Sequence, residues 1–160
     1  KGDEFNGVIK YLTNKTGGNI HDNGTIEVST NTYCNEPKYL LDFNYDNHYY
    51  ANQNNDAWVC FDFKNRKIKL TNYSIKSCMY GVNSCHLKSW DVDVSNDGNN
   101  WIKIDERKNC NDLNGREITG TFDAKSKDFY RYVRIHQTDK TFNSCCLRLF
   151  YVEFYGYLLE

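Results

Sequence analysis

The side chains best suited to chemistry in this 160-residue sequence are seven cysteines and four histidines. The histidines form no H-E-x-x-H pattern, and the sequence has no glycine-rich phosphate loop and no G-x-S-x-G turn. Cys85 and His86 are adjacent, and neighbours on a strand point to opposite faces, so they do not make a catalytic dyad. Asp91 and Asp93 share one face of a predicted strand, where we expect a solvated surface rather than paired catalytic acids. The sequence therefore predicts a protein that is not an enzyme.

The number and spacing of the cysteines bear on their redox state. Seven is an odd number, and no C-x-x-C spacing occurs, which argues against a complete disulfide framework and against a zinc ribbon. We therefore expect reduced thiols and no required cofactor.

Length and composition indicate a single, strand-rich domain. The length suits a single domain, and the aromatic content of 16% with one proline favours strands over helices. The net charge of −1 comes from scattered charges, so we expect no nucleic-acid partner. No apolar run is long enough to span a membrane, and no apolar leader follows Lys1, although a signal peptide or another domain could precede this residue.

The segment Ala57–Ser77 is predicted to organise the fold. Val59, Phe61 and Phe63 give the first strand an apolar face, and a polar turn follows at residues 64–67. The second strand changes its face near residues 71–72, which predicts a β-bulge. We expect these two strands to pair at the centre of a sheet.

The rest of the chain is predicted to be one short helix and further strands. The helix is expected at Glu4–Leu12, where apolar residues recur at helical spacing, and Gly17 and Gly18 stop it. The further strands are expected at Thr25–Ser29, Trp90–Ser95, Trp101–Ile104, Thr119–Phe122, Tyr130–Gln137 and Cys146–Tyr155. Roughly eight strands of this kind predict an all-β fold, an antiparallel β-sandwich or jelly roll.

Six blocks of residues, in order along the chain, resemble those of the discoidin, or coagulation factor 5/8 type C, family. The blocks are Trp58–Phe63, Tyr73–Ser77, His86–Trp90, Ser95–Trp101, Tyr130–Ile135 and Val152–Gly156. The chain is most similar to the intracellular branch of the family, since W-x-x-F-D-F and L-K-S-W occur and the terminal cysteine pair of secreted members does not.

The resemblance implies a galactose-binding-domain-like jelly roll that binds ligands through loops at one end and is not enzymatic. Residues 1–160 are then one such domain of a larger protein, monomeric in isolation and cytoplasmic, with an extracellular or cell-surface location as the alternative. The resemblance also implies a possible structural calcium ion, for which Asp42, Asp46 and Glu153 occupy the matching places.

If the family fold holds, the long loops meet at one end of the sandwich. These loops are Thr30–Pro37, Gln53–Asp56, Cys78–His86 and Asp139–Cys145. They would also bring together thiols and one histidine that could bind zinc, namely Cys34, Cys78, Cys85, His86, Cys145 and Cys146.

The predicted ligand site uses aromatic, amide and charged side chains in or beside these loops. The expected ligand-binding residues are Tyr33, Asn54, Asp56, Lys76, Tyr80, Asn83, His86, Phe142 and Asn143. Aromatic faces suit the C–H face of a sugar, and amides and charges suit its hydroxyls, but a peptide could use the same groups. Two functions stay open, a glycan-binding module and a protein-interaction module. Trp90 and Trp101 are expected in or against the core.

Overall fold

The alternation of apolar and polar residues along the chain produces strands with one buried face. The computed structural model describes residues 5–31, 37–43 and 49–160, and within them it has one α-helix, one 3₁₀-helix and nine strands. They are α1 (Val8–Thr16), β1 (Glu27–Thr30), the 3₁₀-helix (Pro37–Leu41), β2 (Tyr50–Asn52), β3 (Trp58–Asp62), β4 (Lys67–Ser77), β5 (Trp90–Ser95), β6 (Ile102–Arg107), β7 (Thr119–Asp123), β8 (Tyr132–Gln137) and β9 (Leu147–Leu159).

The strands form two packed antiparallel sheets. The first sheet has the order β1-β3-β8-β5-β6, and the second has the order β2-β9-β4-β7. Side chains from both sheets meet in one core, where the rings of Phe61 and Phe154 lie 4.9 Å apart, edge to face. The predicted all-β antiparallel sandwich with one short helix is confirmed. No helix in the described part of the chain is long and apolar enough to cross a membrane.

The predicted pairing of the two strands in Ala57–Ser77 is wrong. β3 pairs with β1 and β8 in the first sheet, whereas β4 pairs with β9 and β7 in the second. The turn between them carries the chain from one sheet to the other, with the Arg66 amide donating to the Phe63 carbonyl at 3.1 Å. The predicted bulge is confirmed, because the register of β4 against β9 shifts between Leu70 and Asn72.

The two tryptophans of β5 and its hairpin differ in their surroundings. Trp90 is fully buried, and its indole Nε1 donates to the Tyr73 hydroxyl at 2.7 Å. Trp101 is half-buried on the outer side of the first sheet, where the guanidinium of Arg134 lies 4.1 Å from its ring centroid. The expectation that Trp101 packs in the core is therefore wrong.

Arg134 also changes the interpretation of the aspartate pair. Asp93 is buried, and it accepts a hydrogen bond from Arg134 Nη2 at 2.9 Å. The expected solvated face is thus wrong for Asp93, which lies in a structural ion pair, while Asp91 is partly exposed.

Candidate functional site

One end of the sandwich gathers most of the long connections, and we call it the rim. In the strand registers, the ends of β4 and β8 lie beside the starts of β9 and β5, respectively. The connections 53–57, 78–89, 108–118 and 138–146 therefore emerge together, and these four segments define the rim. Hydrogen bonds join them, including one from the Thr138 amide to the Ser89 carbonyl at 3.0 Å. The predicted convergence of the loops 53–56, 78–86 and 139–145 is observed, whereas most of the fourth predicted loop, Thr30–Pro37, lies outside the described residues.

Arg148, the second residue of β9, is held between two tyrosine rings at the rim. Its guanidinium carbon lies 4.9 Å from the Tyr80 ring centroid and 5.6 Å from that of Tyr49. Tyr80 keeps 38% of its surface exposed, so the ring offers a face to solvent. The Nε atom of Arg148 is buried and has no hydrogen-bond partner. The rim thus combines an exposed aromatic ring with a partly exposed cation. Sequence reasoning missed Arg148.

Two asparagines close the rim on another side. Asn83 has a positive φ of 59°, and its amide donates to Asn114 Oδ1 at 2.7 Å. The Asn114 side-chain amide returns a bond to Asn83 Oδ1 at 2.9 Å. This reciprocal pair fixes the loop 78–89 to the loop 108–118, and it leaves Val82 69% exposed between them. The sequence indicated Asn83 but not Asn114, whose loop was not predicted to belong to the site.

His86 supports the rim from below. It is fully buried, and its Nε2 lies 3.0 Å from the Tyr80 carbonyl and 2.8 Å from the Gly81 carbonyl. Because both partners are acceptors, Nε2 carries the hydrogen and Nδ1 is an acceptor. The expected ligand contact of His86 is wrong, since the ring has no exposed surface; it shapes the backbone that presents Tyr80.

The predicted residues of the loop 139–145 lie at the rim, with different tasks. Phe142 is half-buried, and the ammonium group of Lys88 lies 5.7 Å from its ring centroid. The Oδ1 atom of Asn143 accepts from the Thr141 hydroxyl at 3.2 Å and from the Cys145 amide at 3.0 Å. Asn143 therefore uses its Oδ1 atom to hold its own turn.

The other predicted residues are dispersed. Asp56 and Asn54 are exposed at the rim, where Asp56 Oδ1 lies 2.5 Å from Nε2 of His136. Lys76 lies on the outer face of the second sheet, its ammonium group 5.2 Å from the Tyr151 ring centroid, so it is not brought to the rim with Tyr80. Tyr33 lies outside the described residues.

Two cysteines lie directly beneath the rim. Cys78 and Cys85 are fully buried, with their sulfur atoms 3.9 Å apart. The Cys78 thiol donates to the Cys85 sulfur, and this contact, with contributions from Ser84 and Arg148, lowers the pKa of Cys85 to about 5. The same pairing, together with burial, raises the pKa of Cys78.

The described residues do not supply a complete set of zinc ligands. Within the chain segments that the structure describes, no group of three or more histidine, cysteine, aspartate or glutamate side chains could hold a metal ion. Cys34 lies outside those segments. Cys145 and Cys146 are adjacent at the rim, with their sulfur atoms 3.8 Å apart.

The residues present do not fit the calcium site that the family resemblance implied. Glu153 is fully buried beside α1, and its carboxylate accepts from the amides of Gly7, Ile9 and Lys10 at 2.8–3.0 Å. These bonds use the oxygens that calcium would need, so the metal role of Glu153 is wrong. Asp42 is half-buried, and Asp46 lies outside the described residues.

The geometry defines an antiparallel jelly-roll sandwich whose loops form a rim at one end. A profile of the F5/8 type C domain family matches residues 24–150, and the chain belongs to this family. No match was found among curated proteins.

Three of the solved structures with the same fold are bacterial carbohydrate-binding modules. The module CpGH89CBM32-6 from Clostridium perfringens is 20% identical over 87% of this chain and 99% of its own, with a TM-score of 0.62. CpGH89CBM32-5 from the same organism, solved in complex with GalNAc-β-1,3-galactose, is 13% identical over 83% and 96%, with a TM-score of 0.64. Chitosan-binding module 1 of a chitosanase/glucanase from Paenibacillus sp. IK-5 is 16% identical over 82% and 96%, with a TM-score of 0.61. The predicted similarity to the intracellular branch gains no support from these matches.

Proposed function

We propose that this chain is a non-catalytic carbohydrate-binding module that binds a glycan at the rim. The observation that carries the proposal is the exposed ring of Tyr80 with the partly exposed guanidinium of Arg148 held 4.9 Å from its centroid. An aromatic face beside a charged donor suits the apolar face and the hydroxyl edge of a sugar ring. The bound disaccharide of one structural neighbour supports this class of ligand.

The roles of the rim residues follow from their chemistry. The exposed face of Tyr80 would receive the apolar C–H face of a sugar ring, since flat aromatic rings and sugar faces exclude water from each other. Arg148 would donate to hydroxyl oxygens at the edge of that ring, and the Asn83 amide group would add a further polar contact. His86 and Asn114 would hold the loops in place without touching the sugar.

The proposed ligand also bears on location. Because the structural neighbours are carbohydrate-binding modules, we propose the extracellular or cell-surface location rather than the cytoplasmic one. A protein partner at the same rim stays a prediction, and the experiment below separates the two ligands.

A glycan array probed with the chain tests the proposal directly. We expect binding to a defined group of glycans, with affinity for the strongest of them falling by roughly 1–3 kcal/mol in Tyr80→Ala, because a packed aromatic anchor dominates a small site. Tyr157→Ala is the matched control, since Tyr157 is an exposed tyrosine at 65% but lies near the far end of β9. Circular dichroism verifies that both variants are folded. A wild-type chain that binds no glycan, or a Tyr80→Ala variant that binds as well as Tyr157→Ala, would overturn the proposal.

A further inference from the structure

Cys78 and Cys85 stand at the two ends of the loop that carries Tyr80 and Asn83. Their sulfur atoms lie 3.9 Å apart, and both side chains have no exposed surface. The Cys85 carbonyl is fixed by the Arg148 amide at 3.1 Å, and the Cys78 carbonyl by the Glu117 amide at 2.9 Å. The backbone thus holds two thiols face to face.

The groups around the two sulfur atoms differ. The Cys85 sulfur receives Arg148 Nη1 at 3.5 Å and the Ser84 hydroxyl at 3.6 Å, and both stabilise a thiolate there. The Cys78 sulfur lies 3.9 Å from Nδ1 of His86, the ring nitrogen that carries no hydrogen. The Cys85 sulfur is therefore stabilised as a nucleophilic thiolate, whereas the Cys78 sulfur has a proton acceptor beside it.

We propose that Cys78 and Cys85 are a disulfide-forming pair, oxidised by exchange with a low-molecular-weight disulfide, and that the bond fixes the rim loop between them. The Cys85 thiolate attacks one sulfur of the external disulfide, forms a mixed disulfide and releases one thiolate. Cys78 then gives its proton to Nδ1 of His86 and attacks the Cys85 sulfur, which releases the second thiolate. Both released thiolates take up protons, one of them from the imidazole. The two protein thiols are thus oxidised while the external disulfide is reduced to two thiols.

Burial determines when this exchange occurs. Neither sulfur is accessible in the folded loop, so the external disulfide reaches Cys85 when the loop opens or while the chain folds. The same burial shields the finished bond from reductants. The proposal therefore predicts slow exchange in the native protein and a bond that persists once it is made.

A second consequence concerns Arg148, and this part rests on the proposed function. In the disulfide, Cys85 carries no negative charge, so the guanidinium loses its anionic neighbour and becomes more available to a ligand at the rim. Oxidation is therefore expected to strengthen glycan binding, whereas formation of the bond itself does not depend on any glycan.

Peptide mapping tests the bond without reference to binding. Trypsin cleaves after Lys76 and Lys88 and releases both cysteines in the single peptide Ser77–Lys88. The chain is refolded in glutathione buffers with an increasing oxidised share, quenched with acid, unfolded, alkylated and digested. We expect this peptide to change from doubly alkylated to unalkylated and two hydrogens lighter. The exposed Cys145, released in the peptide Thr141–Arg148, reports that the oxidant is active.

A variant and a second measurement complete the test. Cys78→Ser should trap Cys85 as a mixed disulfide with glutathione, and amide hydrogen exchange in the loop 78–86 should slow when the wild-type bond forms. The proposal is overturned if Ser77–Lys88 stays doubly alkylated in buffers that fully modify Cys145. It is equally overturned if either cysteine pairs with a different cysteine, or if both thiols are protected by a bound metal. None of these outcomes bears on glycan binding, so failure here and failure of the proposed function are distinguishable.

Discussion

Replacing Arg148 by alanine is expected to abolish most of the glycan affinity while leaving the fold intact. A hydrogen bond from a charged group contributes about 1.5–3 kcal/mol, and its removal should dominate the loss. We therefore expect a loss of about 1.5–3 kcal/mol, which is roughly a 10- to 150-fold weaker association. The partly exposed guanidinium and its position beside Tyr80 are the structural reasons for this magnitude.

The stability of the same variant follows from opposing effects. The substitution removes two cation–π contacts, worth about 0.5–1 kcal/mol each where they are exposed. It also removes a buried donor that has no partner, whose cost is about 1–3 kcal/mol. These effects largely cancel, so we expect the free energy of unfolding to change by less than about 1 kcal/mol. The bond from the Arg148 amide to the Cys85 carbonyl survives in the variant.

The assay is calorimetric titration with the strongest glycan of the array, with urea unfolding on the same samples. Arg116→Ala is the matched control, because Arg116 lies in a rim loop with 71% of its side chain exposed and forms an ion pair with Glu117 at 3.5 Å. Arg148→Lys keeps the charge but loses the planar donors, so its affinity should fall between those of wild type and Arg148→Ala. The reasoning is refuted if folded Arg148→Ala binds as tightly as Arg116→Ala, or if it loses more than about 3 kcal/mol of stability.

Four further substitutions probe residues that hold the fold and the rim in place. His86→Ala should destabilise the fold by about 2–3 kcal/mol in urea unfolding, because two carbonyls lose their donor; an unchanged midpoint would contradict the buried tautomer. Trp90→Ala should cost about 3–5 kcal/mol and Trp101→Ala much less, since only Trp90 is fully buried, and equal losses would disprove the distinction. Burial raises the pKa of Glu153 above its ordinary 4.5, and this effect outweighs the amides that lower it. The protonated carboxyl therefore stabilises the fold below pH 4.5, and this contribution is lost as the pH rises through the pKa of the folded state. The stability of wild type relative to Glu153→Gln should therefore fall as the pH rises above 4.5, and a difference that instead grows with pH would contradict the raised pKa.

The sequence predicted the strands well because each strand carries its own signal. Alternation marks β3, β5, β8 and β9 within a few residues of their observed bounds, and the change of parity near Thr71 marks a real bulge. Which strand lies beside which is a different question, since alternation specifies faces and not neighbours. For this reason β3 and β4, adjacent in sequence, were predicted to pair although they lie in opposite sheets.

The helix shows how a distant residue can move a boundary. Apolar spacing and an acidic residue predicted a start at Glu4, but α1 begins at Val8 and ends at Gly17, which has φ of 82°. The carboxylate that accepts the first amides of the helix belongs to Glu153, which is 144 positions from Ile9. No local pattern contains this information, and the same contact removes Glu153 from the calcium site that the resemblance implied.

Arg148 was missed for a related reason. It lies within a predicted strand, between the inward-facing Leu147 and Leu149, and a charged residue in that register is normally an unremarkable member of the solvated face. It becomes a candidate only because it is the second residue of β9, at the level where the loops converge, and because Tyr80 arrives from another loop. A charged residue among the first residues of a strand that starts at a loop-built rim is therefore a better candidate for ligand binding than the same residue in the middle of a strand.

The position of Arg148 also joins the two proposals, because one guanidinium faces both the Cys85 sulfur and the exposed face of Tyr80. If a glycan oxygen draws the guanidinium outward, the Cys85 thiolate loses part of its stabilisation, which favours the disulfide. If the disulfide forms first, the guanidinium is released toward the glycan. Coupling between two equilibria that share one group is reciprocal. The free energy by which glycan binding favours the disulfide therefore equals the free energy by which the disulfide favours glycan binding. Arg148 thus links the redox state of the loop to the affinity of the rim.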